Sequence, residues 1–127
     1  MDLKSQLSLI HSKVYSRFTY ETDMEQYHVV DKWVMPPDNY DGTSRIVGDC
    51  EDFALACRSL CNDAKLQSRL IYCTIDDQGH CVLECEGWVL DCRFPELVDR
   101  DYLQAHERYI WKRISGYNAG DPWYTIE

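Results

Sequence analysis

Gly48-Asp49-Cys50-Glu51-Asp52-Phe53-Ala54 is the stretch on which the reading of this chain turns. Downstream of it, Phe53, Cys57, Leu60, Cys61 and Ala64 recur at i, i+4, i+7, i+8 and i+11, the spacing of one buried helix face. Asp49 is suited to cap that helix and Asp52, three residues on, to close a capping box, so the helix begins at Cys50. A cysteine at a helix N-terminus sits among unpaired N–H groups and the positive end of the helix dipole, which favour a thiolate. Gly48 permits close approach of a substrate backbone, and the Cys50 N–H is placed to help bind an oxyanion.

Working outward, Leu3, Leu7, Ile10, Val14 and Phe18 predict an amphipathic first helix from an Asp2 cap to about Arg17. Residues 19 to 47 carry turn chemistry at Pro36-Pro37 and Asp41-Gly42 and give no clear strand. Beyond the Cys50 helix, Ser68 to Ile75 reads as a strand and Asp76-Asp77-Gln78-Gly79 as a turn. His80 to Leu83 and Trp88 to Asp91 then read as a hairpin around Glu84-Cys85-Glu86-Gly87. Phe94-Pro95 ends it. A short helix over Asp99 to Arg108, a strand over Tyr109 to Ser115, a turn at Gly116 to Gly120 and a last strand over Trp123 to Ile126 complete the order.

With a two-residue loop at Cys85-Glu86, His80 falls directly opposite Asp91. Cross-strand partners share a face with Cβ atoms about 5 Å apart, close enough for a carboxylate to orient an imidazole. Cys50, His80 and Asp91 then make a nucleophile, a base and an orienting acid, the set of a cysteine hydrolase or acyl-transfer enzyme.

The other thiols read differently. Cys57 and Cys61 lie on the apolar stripe, where cysteine behaves as a small hydrophobe. Cys57/Cys61 and Cys81/Cys85 could in principle supply four thiolates to zinc, but the usual pairs with two intervening residues are absent. Asp49, Glu51 and Asp52 crowd the nucleophile, and negative charge disfavours a thiolate. A cationic His80 would offset it, as would a calcium ion held by Asp49, Glu51 and Asp52 with Asp76 or Asp77 assisting.

Of 127 residues, 45% are apolar and 28% charged, which suits one domain over residues 1–127. The net charge of -9 argues against a nucleic-acid partner and favours a protein or peptide. No apolar run approaches the ~20 residues of a membrane-spanning helix, and Met1 to Gln6 lacks the pattern of an export signal. An odd count of seven cysteines argues against a disulfide scaffold, so the expectation is a cytoplasmic protein with reduced thiols.

Asp31-Lys32-Trp33-Val34-Met35-Pro36, Gly48 to Ala54, Gly79-His80-Cys81-Val82-Leu83 and Val89-Leu90-Asp91 together resemble the bacterial transglutaminase-like cysteine proteases, over roughly Tyr15 to Arg93. The resemblance implies an α+β, papain/transglutaminase-like fold in which a nucleophile-bearing helix packs on an antiparallel sheet. It implies nucleophile, base and acid roles for Cys50, His80 and Asp91, calcium binding at Asp49 and Glu51 with Asp52, and a place for Trp33 in the cleft. The best-known members are periplasmic, calcium-dependent enzymes that release surface adhesins. This chain differs from them in its smaller size and its cysteine content, so that substrate is not carried over.

The reading is therefore a small cysteine endopeptidase working through a thioester. A transglutaminase-like acyltransferase or amidase on the same triad, and a catalytically silent acidic binding or inhibitor protein, are the alternatives.

Overall fold

Two helices form where the apolar stripes predict them. The computed structural model describes residues 2–20, 40, 42–117 and 121–126. Trp33 and its motif, Pro36-Pro37, Asp41 and the turn residues 118–120 lie outside the described residues. Helix α1 spans Leu3–Arg17, with the Asp2 side chain accepting from the Ser5 amide and with Leu7, Ile10, His11 and Val14 buried. Strands β1 (Phe18–Tyr20) and β2 (Ile46–Gly48) pair in parallel, in a segment where the sequence pattern marked none. Helix α2 follows at once over Cys50–Asp63.

The rest of the chain is mainly sheet: β3 (Arg69–Ile75), β4 (Gln78–Cys85), β5 (Trp88–Leu90), β6 (Val98–Asp99), helix α3 (Arg100–His106), β7 (Tyr109–Ile114) and β8 (Tyr124–Thr125). These strands form one antiparallel sheet in the order β6-β5-β4-β3-β7-β8. The two-residue period of the strands divides the core. Leu70, Leu83 and Leu90 join Leu7, Val14, Phe53 and Cys57 in one cluster under α1 and α2. Ile71, Val82 and Val89 join Leu103 and Tyr109 in a second, which α3 covers. The expected α+β architecture, with the Cys50 helix packed on an antiparallel sheet, is the observed one.

The hairpin register differs from the sequence reading. Its turn is Glu86-Gly87, with φ of 50° and 91°, and Cys85 pairs with Trp88, Glu84 with Val89 and Leu83 with Leu90. Two consecutive positive φ values are what a tight hairpin turn of matching twist needs, and glycine takes the second without strain. Continued by one residue, this register sets Asp91 across from Val82, so His80 is its diagonal neighbour rather than its direct partner. The two still share a face.

Candidate active site

The start of α2 is built by its own acids. Asp49 Oδ1 accepts from the amides of Glu51 at 3.1 Å and Asp52 at 3.3 Å, while Asp52 Oδ2 accepts from the Asp49 amide at 3.0 Å. The Phe53 amide bonds to the Asp49 carbonyl at 3.2 Å. Of the four N–H groups that open the helix, Cys50's alone has no partner among the described residues. Gly48 is fixed by the same cap, because a Cβ there would stand 2.1 Å from Asp52 Oδ2.

Cys50 is half-buried, and its side chain lies close enough to His80 to help raise the imidazole. On the other side of the ring, His80 Nε2 lies 2.8 Å from Asp91 Oδ1. Asp91 is fully buried, and its oxygens also accept from the Arg93 amide at 3.0 Å and from the Tyr109 hydroxyl. Burial alone would raise the Asp91 carboxyl, but the bonds from His80, Tyr109 and the Arg93 amide outweigh it and hold it below the usual range. An ionised Asp91 only accepts, so Nε2 carries the proton and Nδ1 is the nitrogen left for Cys50. Burial likewise pushes the imidazole down, and the bonds and charges of Asp91 and Cys50 together outweigh it, raising His80 to about 9.

Tyr109 and Arg93 have no local signal in the sequence. Tyr109 reaches Asp91 only through the pairing of β7 with β3, which puts it beside Ile75. It stands edge-on to His80 with centroids 5.9 Å apart, and its hydroxyl accepts from Arg93 Nη1 at 2.9 Å. Burial and then the Asp91 charge raise its phenol well above the ordinary value.

A cavity of about 520 Å³ opens beside the dyad, with Tyr20, Asp76, Gln78, His80, Cys92 and Arg93 in its wall. A larger one of about 600 Å³, beside α3, contains Tyr109 but neither Cys50 nor His80. The imidazole, rather than size, decides between them.

Four thiolates do not gather for zinc as Cys57, Cys61, Cys81 and Cys85 might have allowed. Cys57 and Cys61 are buried in the core, and Cys85 is turned toward the Gln67 carbonyl at 3.3 Å. Among the described residues, the one group of three or more His, Cys, Asp or Glu side chains whose ligand atoms lie within 4.8 Å of one another is His80, Asp91 and Cys92. Asp49, Glu51 and Asp52 are not such a group. Charge does accumulate there: burial first, then the neighbouring Asp49 and Glu51, raises the Asp52 carboxyl. No described helix is long and apolar enough to cross a membrane.

A family model described as bacterial transglutaminase-like cysteine proteinase BTLCP matches residues 1–127. Among solved structures, Legionella pneumophila LapG in an EGTA-treated form is similar at 23% identity and a TM-score of 0.66, covering 99% of this chain and 68% of that one. A second structure of Legionella pneumophila LapG is similar at 23% identity and a TM-score of 0.65, over 98% of this chain and 68% of that one. At this identity the likeness is one of fold. No curated protein sequence matches the chain.

Proposed function

Because the chain belongs to the bacterial transglutaminase-like cysteine proteinases and is a cysteine peptidase by that membership, we propose that it is an endopeptidase whose triad is Cys50, His80 and Asp91. The observation that carries this is the line Cys50–His80–Asp91, with Nε2 engaged by the carboxylate and Nδ1 free for the thiol. The Cys50 thiolate attacks a peptide carbonyl, and the Cys50 N–H receives the oxyanion. His80 gives its Nδ1 proton to the leaving amine, and a thioester remains. Nδ1 then takes a proton from water, whose attack frees the acid and expels the Cys50 thiolate, restoring the starting pair. Gly48 belongs to the cleft in this reading.

Replacing Cys50 with Ala should leave the melting temperature unchanged and lower peptide hydrolysis on the order of 10³-fold or more. Hydrolysis at the original rate by the Cys50→Ala protein would discard the assignment. Trapping the thioester and adding amines separates endopeptidase from acyltransferase, since only the latter passes the acyl group to the amine.

Calcium is part of the proposal. Asp49 and Asp52 each keep one oxygen outside the cap, Glu51 is exposed beside them, and the EGTA treatment of one similar LapG structure is consistent with a cation there. Calcium takes 6–8 oxygens, so these three would hold it with further ligands. It would supply positive charge beside Cys50. Calorimetric titration with calcium should show heat that Asp49→Asn diminishes, and no heat in the wild type would remove calcium from the account. A cytoplasmic setting is proposed on the seven free thiols, which suit a reducing compartment.

A further inference from the structure

Peptide hydrolysis leaves Cys92 unused, although its sulfur stands within 4.8 Å of the ligand atoms of both His80 and Asp91. We propose that His80, Asp91 and Cys92 form a binding site for a thiophilic divalent cation of the zinc class, and that the bound cation blocks the peptidase. The blocking part rests on the catalytic assignment of His80 and Asp91; the binding part rests on geometry alone.

The donor set is one sulfur, one imidazole nitrogen and one carboxylate oxygen. Zinc accepts such a mixture in tetrahedral geometry, with bonds of about 2.3 Å to sulfur and about 2.0–2.2 Å to nitrogen and oxygen. Those lengths require donor–donor separations of roughly 3.3–3.8 Å. His80 Nε2 and Asp91 Oδ1 now share a proton at 2.8 Å, so a cation needs them about half an ångström further apart and Cys92 drawn inward.

The surroundings already have the form of an outer shell. Asp91 is held from behind by the Tyr109 hydroxyl and the Arg93 amide, which orient a ligating carboxylate in the way metal sites use. Burial is high, with His80 8% and Asp91 0% exposed, yet His80 and Cys92 both face the 520 Å³ cavity through which an ion could enter. Calcium does not suit this set, because it requires six or more oxygens and only Asp91 offers any. A cation taking Nε2 and Oδ1 breaks the bond that orients the imidazole, and hydrolysis stops.

The test is calorimetric titration of the full chain with zinc chloride in EGTA-free, calcium-free buffer, repeated with cobalt(II) to read the thiolate-to-metal absorption band. Wild type and Cys50→Ala should each bind one zinc and show the band. Cys92→Ser should bind at least tenfold more weakly and lose the band; Cys92→Ala serves the same purpose if the serine variant fails to fold by circular dichroism. Zinc at its binding concentration should stop wild-type hydrolysis, and a chelator should restore it. Equal zinc affinity in wild type and the Cys92 variants, or loss of binding in Cys50→Ala, would overturn the site. Hydrolysis by Cys50→Ala would instead sink the catalytic assignment and leave the zinc titration standing.

Discussion

At the scale of single residues, the decisive fact is which nitrogen of His80 is spoken for. With Nε2 committed to Asp91, the ring can meet Cys50 only through Nδ1, and the same carboxylate keeps the imidazole protonated well past neutrality. The protonated His80 is the partner that a thiolate needs, so kcat/KM should hold as pH rises and fall through about 9. Asp91→Asn removes the largest of the influences that raise His80; the descending limb should move to lower pH, and kcat/KM should drop on the order of 10²–10⁴-fold. A pH–rate profile reads both, and an unmoved limb would contradict the role of Asp91. The same shift bears on folding. A His whose folded value is raised from 6.5 to about 9 stabilises fully below 6.5 and loses that contribution as pH rises through 9, which urea unfolding at several pH values would follow. Cys50, His80 and Asp91 were legible from residue type and order, whereas Tyr109 and Arg93 were not, because their contact with Asp91 depends on packing that joins distant strands.

Among the elements, α2 and the β4–β5 hairpin carry the lesson about what a sequence displays. The helix was readable to its first residue because cap, stripe and start are local. The hairpin was placed with its turn one residue early, at Cys85-Glu86 instead of Glu86-Gly87, since alternation fixes faces and the turn fixes register. Moving a turn by one residue moves every pair by two, and two is the period of a strand. His80 and Asp91 therefore kept a common face and became diagonal neighbours instead of opposites. Strands β1 and β2, three residues each, are too short to show any period at all. Gly48 gives this scale its prediction. A Cβ there would lie 2.1 Å from Asp52 Oδ2 and 2.5 Å from Asp52 Cβ, so Gly48→Ala must expel Asp52 from the cap. The loss of the cap together with the strain should cost about 2 kcal/mol in urea unfolding and displace Cys50, lowering kcat more than it raises KM. Wild-type stability in that variant would show that the cap is not what holds α2.

For the molecule as a whole, one sheet with two apolar faces implies that both cores fold together. Leu83, under α2, and Leu103, on α3, are each fully buried in a different cluster. Leu83→Ala and Leu103→Ala should each destabilise by about 2–5 kcal/mol, in a single urea transition. Two separate transitions would argue against one domain. The sheet's outline has a further consequence for how a polypeptide is gripped. Its outermost strands, β6 and β8, are two residues long, and β5 pairs with β4 only from Leu83 to Cys85, so among the described residues Gln78 to Val82 have no strand partner on that side, next to His80. A foreign chain could lie down there as an added strand. Cleavage preferences should accordingly follow an extended backbone conformation next to the cut as well as individual residue types.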